Sequence, residues 1–99
     1  MFDGAAVSRV ESARIELAPG QRTGLHYHPC PVVGCVVAGT IRFAVEGEPE
    51  RILRPGDAFY EPADTRVASF DNESEQEPAT FVAFYLLPEG EDRLIVMVE

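Results

Sequence analysis

Apolar and polar residues alternate along this chain in short runs, and alternation with a period of two marks a strand with one buried face. From Ser12 to Ala18 the residues Ala13, Ile15 and Leu17 fall on one side, and Pro19-Gly20 ends the run. Thr23 to His28 and Val32 to Ala38 follow, and Gly39 turns the chain into Thr40 to Glu46, where Ile41, Phe43 and Val45 share a face. After Gly47-Glu48-Pro49 come Arg51 to Arg54, the tight-turn sequence Pro55-Gly56-Asp57, Ala58 to Glu61 and Arg66 to Phe70. The acidic stretch Asp71 to Pro78 reads as a solvated loop, Ala79 to Leu87 as the most apolar strand and a buried one, Pro88 to Arg93 as a loop and Leu94 to Val98 as a closing strand. With eight prolines and eight glycines spread evenly, little room is left for a helix. About nine short strands between Gly/Pro turns predict an all-β fold, an antiparallel sandwich or barrel. An immunoglobulin-like sandwich is disfavoured by the lack of tryptophan and by the close spacing of Cys30 and Cys35.

A chain of 99 residues predicts one domain, residues 1–99, with a core that is sufficient but marginal. The net charge is −9, from 17 acids against 8 bases, and every base is an arginine. Such a surface repels phosphate backbones and anionic headgroups, so neither nucleic acid nor a membrane surface is an expected partner. Met1-Phe2-Asp3-Gly4 carries neither a basic region nor an apolar run, and two cysteines are too few for a disulfide framework; a cytoplasmic protein with reduced thiols is expected. In that setting the sequon Asn72-Glu73-Ser74 is a chance match.

His26 and His28 are the only histidines. At i and i+2 on a strand their imidazoles project to one face, where both can reach one metal ion; two half-buried histidines without a ligand are the simpler alternative. The stretch Gly20-x5-His26-x-His28-x3-Val32-x6-Gly39 resembles the first motif of the cupin superfamily, in which a glutamate stands at the place of Val32. Gly56-x5-Pro62 resembles the start of the second cupin motif, with Asp64 where that motif has glycine, Val67 where it has histidine, and Asp71 or Asn72 where it has asparagine. The resemblance implies an antiparallel double-stranded β-helix, or jelly-roll barrel. In cupins that bear a metal, two histidines and a glutamate from the first motif and a histidine from the second hold it. Here His26 and His28 are kept, and the other two places carry Val32 and Val67.

Two imidazoles alone make a weak site, because a usable one generally takes three protein ligands. Glu61 shares a strand face with Phe59, so an inward Phe59 brings Glu61 inward and completes a two-histidine, one-carboxylate set. Since most glutamates are exposed, the ordinary place for Glu61 is the barrel rim, paired with an arginine. Cys30, two residues after His28, is a further possible ligand, although Pro29 and Pro31 interrupt the strand and a free cysteine is more often a small buried hydrophobe. Cys35, Arg42, Tyr27 and Tyr60 have the opposite parity and are expected to face away from the site. Val32, Phe59, Glu61 and Val67 are expected to line a rather dry ligand pocket. Iron, manganese, nickel, copper or zinc would suit the donors, and a metal-free barrel is the alternative. Three functions follow: a metal-dependent oxygenase or isomerase, a metal-free small-molecule binder or sensor, and an acid–base enzyme using a neutral histidine. A small barrel with apolar sheet surface is further expected to form a homodimer, with the residues before Ser12 available for exchange between subunits.

Overall fold

The computed structural model of the protein describes residues 6–98; the sequence reading of Met1 to Gly4 falls outside them. Nine strands and no helix form among the described residues: β1 (Arg9–Leu17), β2 (His26–Tyr27), β3 (Val32–Ala38), β4 (Ile41–Val45), β5 (Arg51–Leu53), β6 (Ala58–Glu61), β7 (Val67–Asn72), β8 (Ala79–Leu87) and β9 (Val96–Met97). They build two antiparallel sheets, ordered β1-β8-β3-β6 and β5-β4-β7-β2-β9. Only β4 and β5 pair as chain neighbours, so nearly every ladder joins distant parts of the chain, the wiring of a jelly-roll barrel.

The alternation read from the sequence places the core. Leu17, Val32, Val36, Ile41, Phe43, Val45, Leu53, Phe59, Val67 and Phe70 are buried, as are Ala79, Phe81, Ala83, Tyr85 and Leu87, every second residue of β8. Phe43, Phe59, Phe70 and Phe81 pack in edge-to-face and tilted pairs with ring centroids 4.7–6.0 Å apart, the spacing at which aromatic quadrupoles attract. Gly34 admits this cluster: a Cβ there would lie 2.6 Å from Cζ of Phe59 and would collide with the carbonyl of Val82.

Two sequence expectations need correction. The loop predicted from Asp71 begins two residues later, because Asp71 and Asn72 are buried in β7. The Asn72 amide donates to the carbonyls of Leu17, Ala18 and Glu77 and its oxygen accepts from the N–H of Ser74, so one buried polar side chain ties β1, β7 and the acidic loop together. The strand expected from Thr23 to His28 shrinks to two residues. Pro29 and Pro31 supply no N–H on one side, and on the other Thr23 spends its N–H on Asp71 and its hydroxyl on the Phe70 carbonyl. At Asp64 the backbone is left-handed (φ 57°), the conformation for which the second cupin motif uses glycine and which aspartate tolerates better than most residues.

Candidate metal centre

β2 sits between β7 and β9, with His26 opposite Val67 on one side and Met97 on the other. The His26 and His28 rings both turn inward, 5.0 Å apart and only 2% and 4% exposed. Glu61 ends β6 and lies directly opposite Val32 of β3. The rim position expected for Glu61 is therefore not the observed one: it is 3% exposed, and its neighbours are imidazoles rather than an arginine. In strand terms the carboxylate stands one strand over from the place where the cupin motif carries it.

The hydrogen bonding of the rings sets the chemistry. Nδ1 of His26 lies 2.7 Å from the Gly24 carbonyl and Nδ1 of His28 lies 2.6 Å from the Leu94 carbonyl. A carbonyl can only accept, so each Nδ1 carries a hydrogen and each neutral ring presents the bare lone pair of Nε2 to the interior. These two nitrogens lie 2.9 Å (His28) and 3.7 Å (His26) from Oε2 of Glu61. The 2.9 Å approach is a close contact rather than a directed hydrogen bond, since Oε2 is buried without a donor aimed at it. Three lone-pair atoms thus converge in a dry interior and call for a cation, either a proton or a metal ion.

A metal fits. The three atoms lie within 4.8 Å of one another, and bonds of about 2.0–2.2 Å to one ion would set adjacent donors about 3 Å apart. The donated Nδ1 hydrogens are the outer contacts that orient imidazole ligands. Without a metal, burial opposes charge on both partners, and their attraction outweighs it: contact with Glu61 and the Gly24 carbonyl holds His26 above its ordinary value, and contact with the two rings holds Glu61 below its own.

Cys30 is fully buried, stands outside this cluster, and has its thiol pushed up to about 11, chiefly by burial; it packs as a hydrophobe. Of the four expected pocket residues, Val32 and Glu61 line the cavity over the centre. Phe59 belongs to the aromatic cluster, and Val67, fully buried, stands beside His26 on the neighbouring strand and outside the cavity lining. The cavity measures about 260 Å³, below the ~300–1,000 Å³ typical of drug-sized ligands. Apolar walls come from Ile15, Leu17, Phe70, Phe81, Ala83 and Ile95, and further polar groups from Gln21, Arg22, Thr23 and Tyr85. The sequence reading missed Tyr85 and Arg22. Parity held the signal for Tyr85, which is in phase with the inward Phe81 and Ala83; Arg22 is exposed and lies in irregular chain before β2, where alternation carries no signal.

A β-barrel with an inward histidine pair at one end defines a cupin-type protein. A family model for the cupin domain matches residues 13–85, and the chain belongs to the cupin family. No curated protein matches the sequence. Among solved structures, an oxalate oxidase is 25% identical with a TM-score of 0.76, the match covering 90% of this chain and 46% of that one. The DMSP lyase DddQ from Ruegeria pomeroyi is 21% identical with a TM-score of 0.75, covering 90% and 43%. A cupin-like protein from Thermotoga maritima is 20% identical with a TM-score of 0.74, covering 90% and 64%. The chain thus spans less than half the length of the two enzymes and under two thirds of the third protein.

Proposed function

We propose that this protein is a small cupin that binds a small molecule in its barrel, over a divalent transition metal held by His26, His28 and Glu61. One observation carries the reading: two imidazole lone pairs and a buried carboxylate oxygen face one another with no donor between them. Bound there, the metal would supply Lewis-acid or redox chemistry to a ligand in the cavity. The chain's own residues do the rest. The Gly24 and Leu94 carbonyls fix the rings, Glu61 supplies the negative charge, and the apolar walls exclude water and leave few groups to orient the ligand. Two histidines and one carboxylate leave positions open for exogenous ligands, which suits an oxygenase or isomerase and allows iron, manganese, nickel, copper or zinc.

The test is elemental analysis of purified protein loaded with each of these metals, beside His26→Ala/His28→Ala and Glu61→Gln. Near-stoichiometric metal in the wild type, lost in both variants, is the expected result; a wild type that takes up none overturns it. A metal-free reading remains as the second. The mutual stabilisation of protonated His26 and ionised Glu61 gives a site that binds or acts as acid–base machinery without a metal.

We also propose a homodimer formed through the outer face of β1, β8 and β3. Val10, Val33, Cys35, Val82, Phe84 and Leu86 occupy its registers, with Val10 and Phe84 exposed. On β1 this face carries one Arg14 and one Glu16, which suits self-association in a chain of net charge −9.

A further inference from the structure

We propose that the cavity receives a short carboxylic acid, its carboxylate held by the Arg22 guanidinium at the mouth and an oxygen function at its other end directed toward His26, His28 and Glu61. The inference rests on the site proposed above and assigns its ligand class.

Arg22 is set apart by its lack of company. Arg9, Arg42, Arg66 and Arg93 pair with acids, and Arg51 lies over the Phe43 ring. Arg14, Arg22 and Arg54 have no such partner among the described residues. Of these three only Arg22 lines the cavity. In a chain with twice as many acids as bases, a guanidinium left unpaired at the mouth of an internal cavity points to an anion from outside.

The backbone on both sides of Arg22 is fixed. The Gln21 carbonyl accepts from the N–H of Asn72 at 2.9 Å, and the Thr23 N–H donates to Asp71 at 3.2 Å. The Gln21 side chain accepts from the N–H of Ala18 at 2.8 Å, so its oxygen is the bonded end and its amide hydrogens stay available beside Arg22. Two sets of donors without acceptors and three acceptors without a donor therefore line one cavity. The rest of the wall is largely apolar, with Ile15, Phe81 and Ala83. A loaded centre of one carboxylate and a divalent ion is net positive, as is Arg22, so an anion is matched and an amine is repelled. The small cavity limits the body of the acid to a few carbons.

The test titrates 2-hydroxybutyrate, 4-hydroxybutyrate and their primary amides into the metal-loaded and the chelated protein at low salt, followed by calorimetry and thermal shift. The wild type is expected to bind at least one acid roughly tenfold or more tightly than its amide. Arg22→Gln is expected to lose that preference while keeping its metal content, Arg22→Lys to keep part of it, and Arg54→Gln to match the wild type. Binding of neither acid by the wild type, equal binding of acids and amides, or an acid preference that survives in Arg22→Gln, overturns the proposal. A wild type without metal defeats the metal reading alone, because the chelated titration still reads the preference that belongs to Arg22. Should Arg22→Gln fail to fold, Arg22→Lys decides: an acid preference unweakened relative to its amide in that variant counts against a fitted guanidinium.

Discussion

At the scale of single residues the sharpest consequence concerns protons. In the metal-free protein His26 is held above its ordinary value of 6.5, so its contribution to stability is complete below that value and is lost as pH rises through the raised one. Glu61 is held below its ordinary 4.5, so its contribution is complete above 4.5 and is lost as pH falls through the lowered value. The pair therefore stabilises the metal-free fold most between these ordinary values. A metal needs both Nε2 atoms unprotonated and favours the opposite direction. Melting temperatures measured in chelator and in saturating metal, from about pH 6 to about pH 8.5, are expected to diverge as pH rises. A gap that narrows instead would mean that no metal sits on these rings. Asp64 shows how far single residues were legible: the spacing marked it as a stand-in for glycine, and the backbone is left-handed there. Glu61 was less legible, because the general habit of glutamates to lie outside argued against the inward phase it shares with Phe59.

Among the elements, the β3–β6 ladder decides the site. Val32 and Glu61 face each other across it, so a carboxylate at either position enters the same small volume. Exchanging them, Val32→Glu with Glu61→Val, is expected to restore metal uptake that Glu61→Val alone abolishes, measured as metal per chain after dialysis; continued failure of the double variant would show that the two positions are not equivalent. The same ladder depends on Gly34. Gly34→Ala drives a methyl against the Phe59 ring and the Val82 carbonyl, and a cost of about 1–3 kcal/mol is expected in denaturant unfolding, together with weaker metal binding as β6 shifts. Wild-type stability in that variant would mean that the aromatic cluster is free to move aside. Strand positions were readable wherever side chains alternate. β2 was not, because its length is set by partners outside its own segment: side-chain bonds from Thr23 and two prolines curtail an apparent six-residue run. Asp71 and Asn72 looked like the start of a charged loop because hydropathy cannot distinguish a solvated polar residue from one that binds three carbonyls.

At the scale of the molecule, the barrel holds the lone-pair cluster within it and leaves an apolar sheet face outside. Light scattering is expected to give twice the chain mass, and Phe84→Arg, which sets four like charges near the symmetry axis once Arg14 is counted, to give the single mass with its metal site intact. A wild-type monomer would retire the dimer. The fold and its family were legible because turn glycines and prolines recur at fixed spacings. The proposed ligand class was not, since Arg22 takes its meaning from pairings across all the described residues. One bond has a consequence in time. Nδ1 of His28 is held by the carbonyl of Leu94, 66 residues further along the chain. At roughly 5–20 residues per second, a ribosome delivers that carbonyl about 3–13 s after the imidazole it orients. Until then either ring nitrogen of His28 is free to turn toward the interior, and the nascent barrel lacks the fixed donor set of the finished one. Synthesis of the segment just before β9 is thus the step that fixes which nitrogen of His28 faces the cavity.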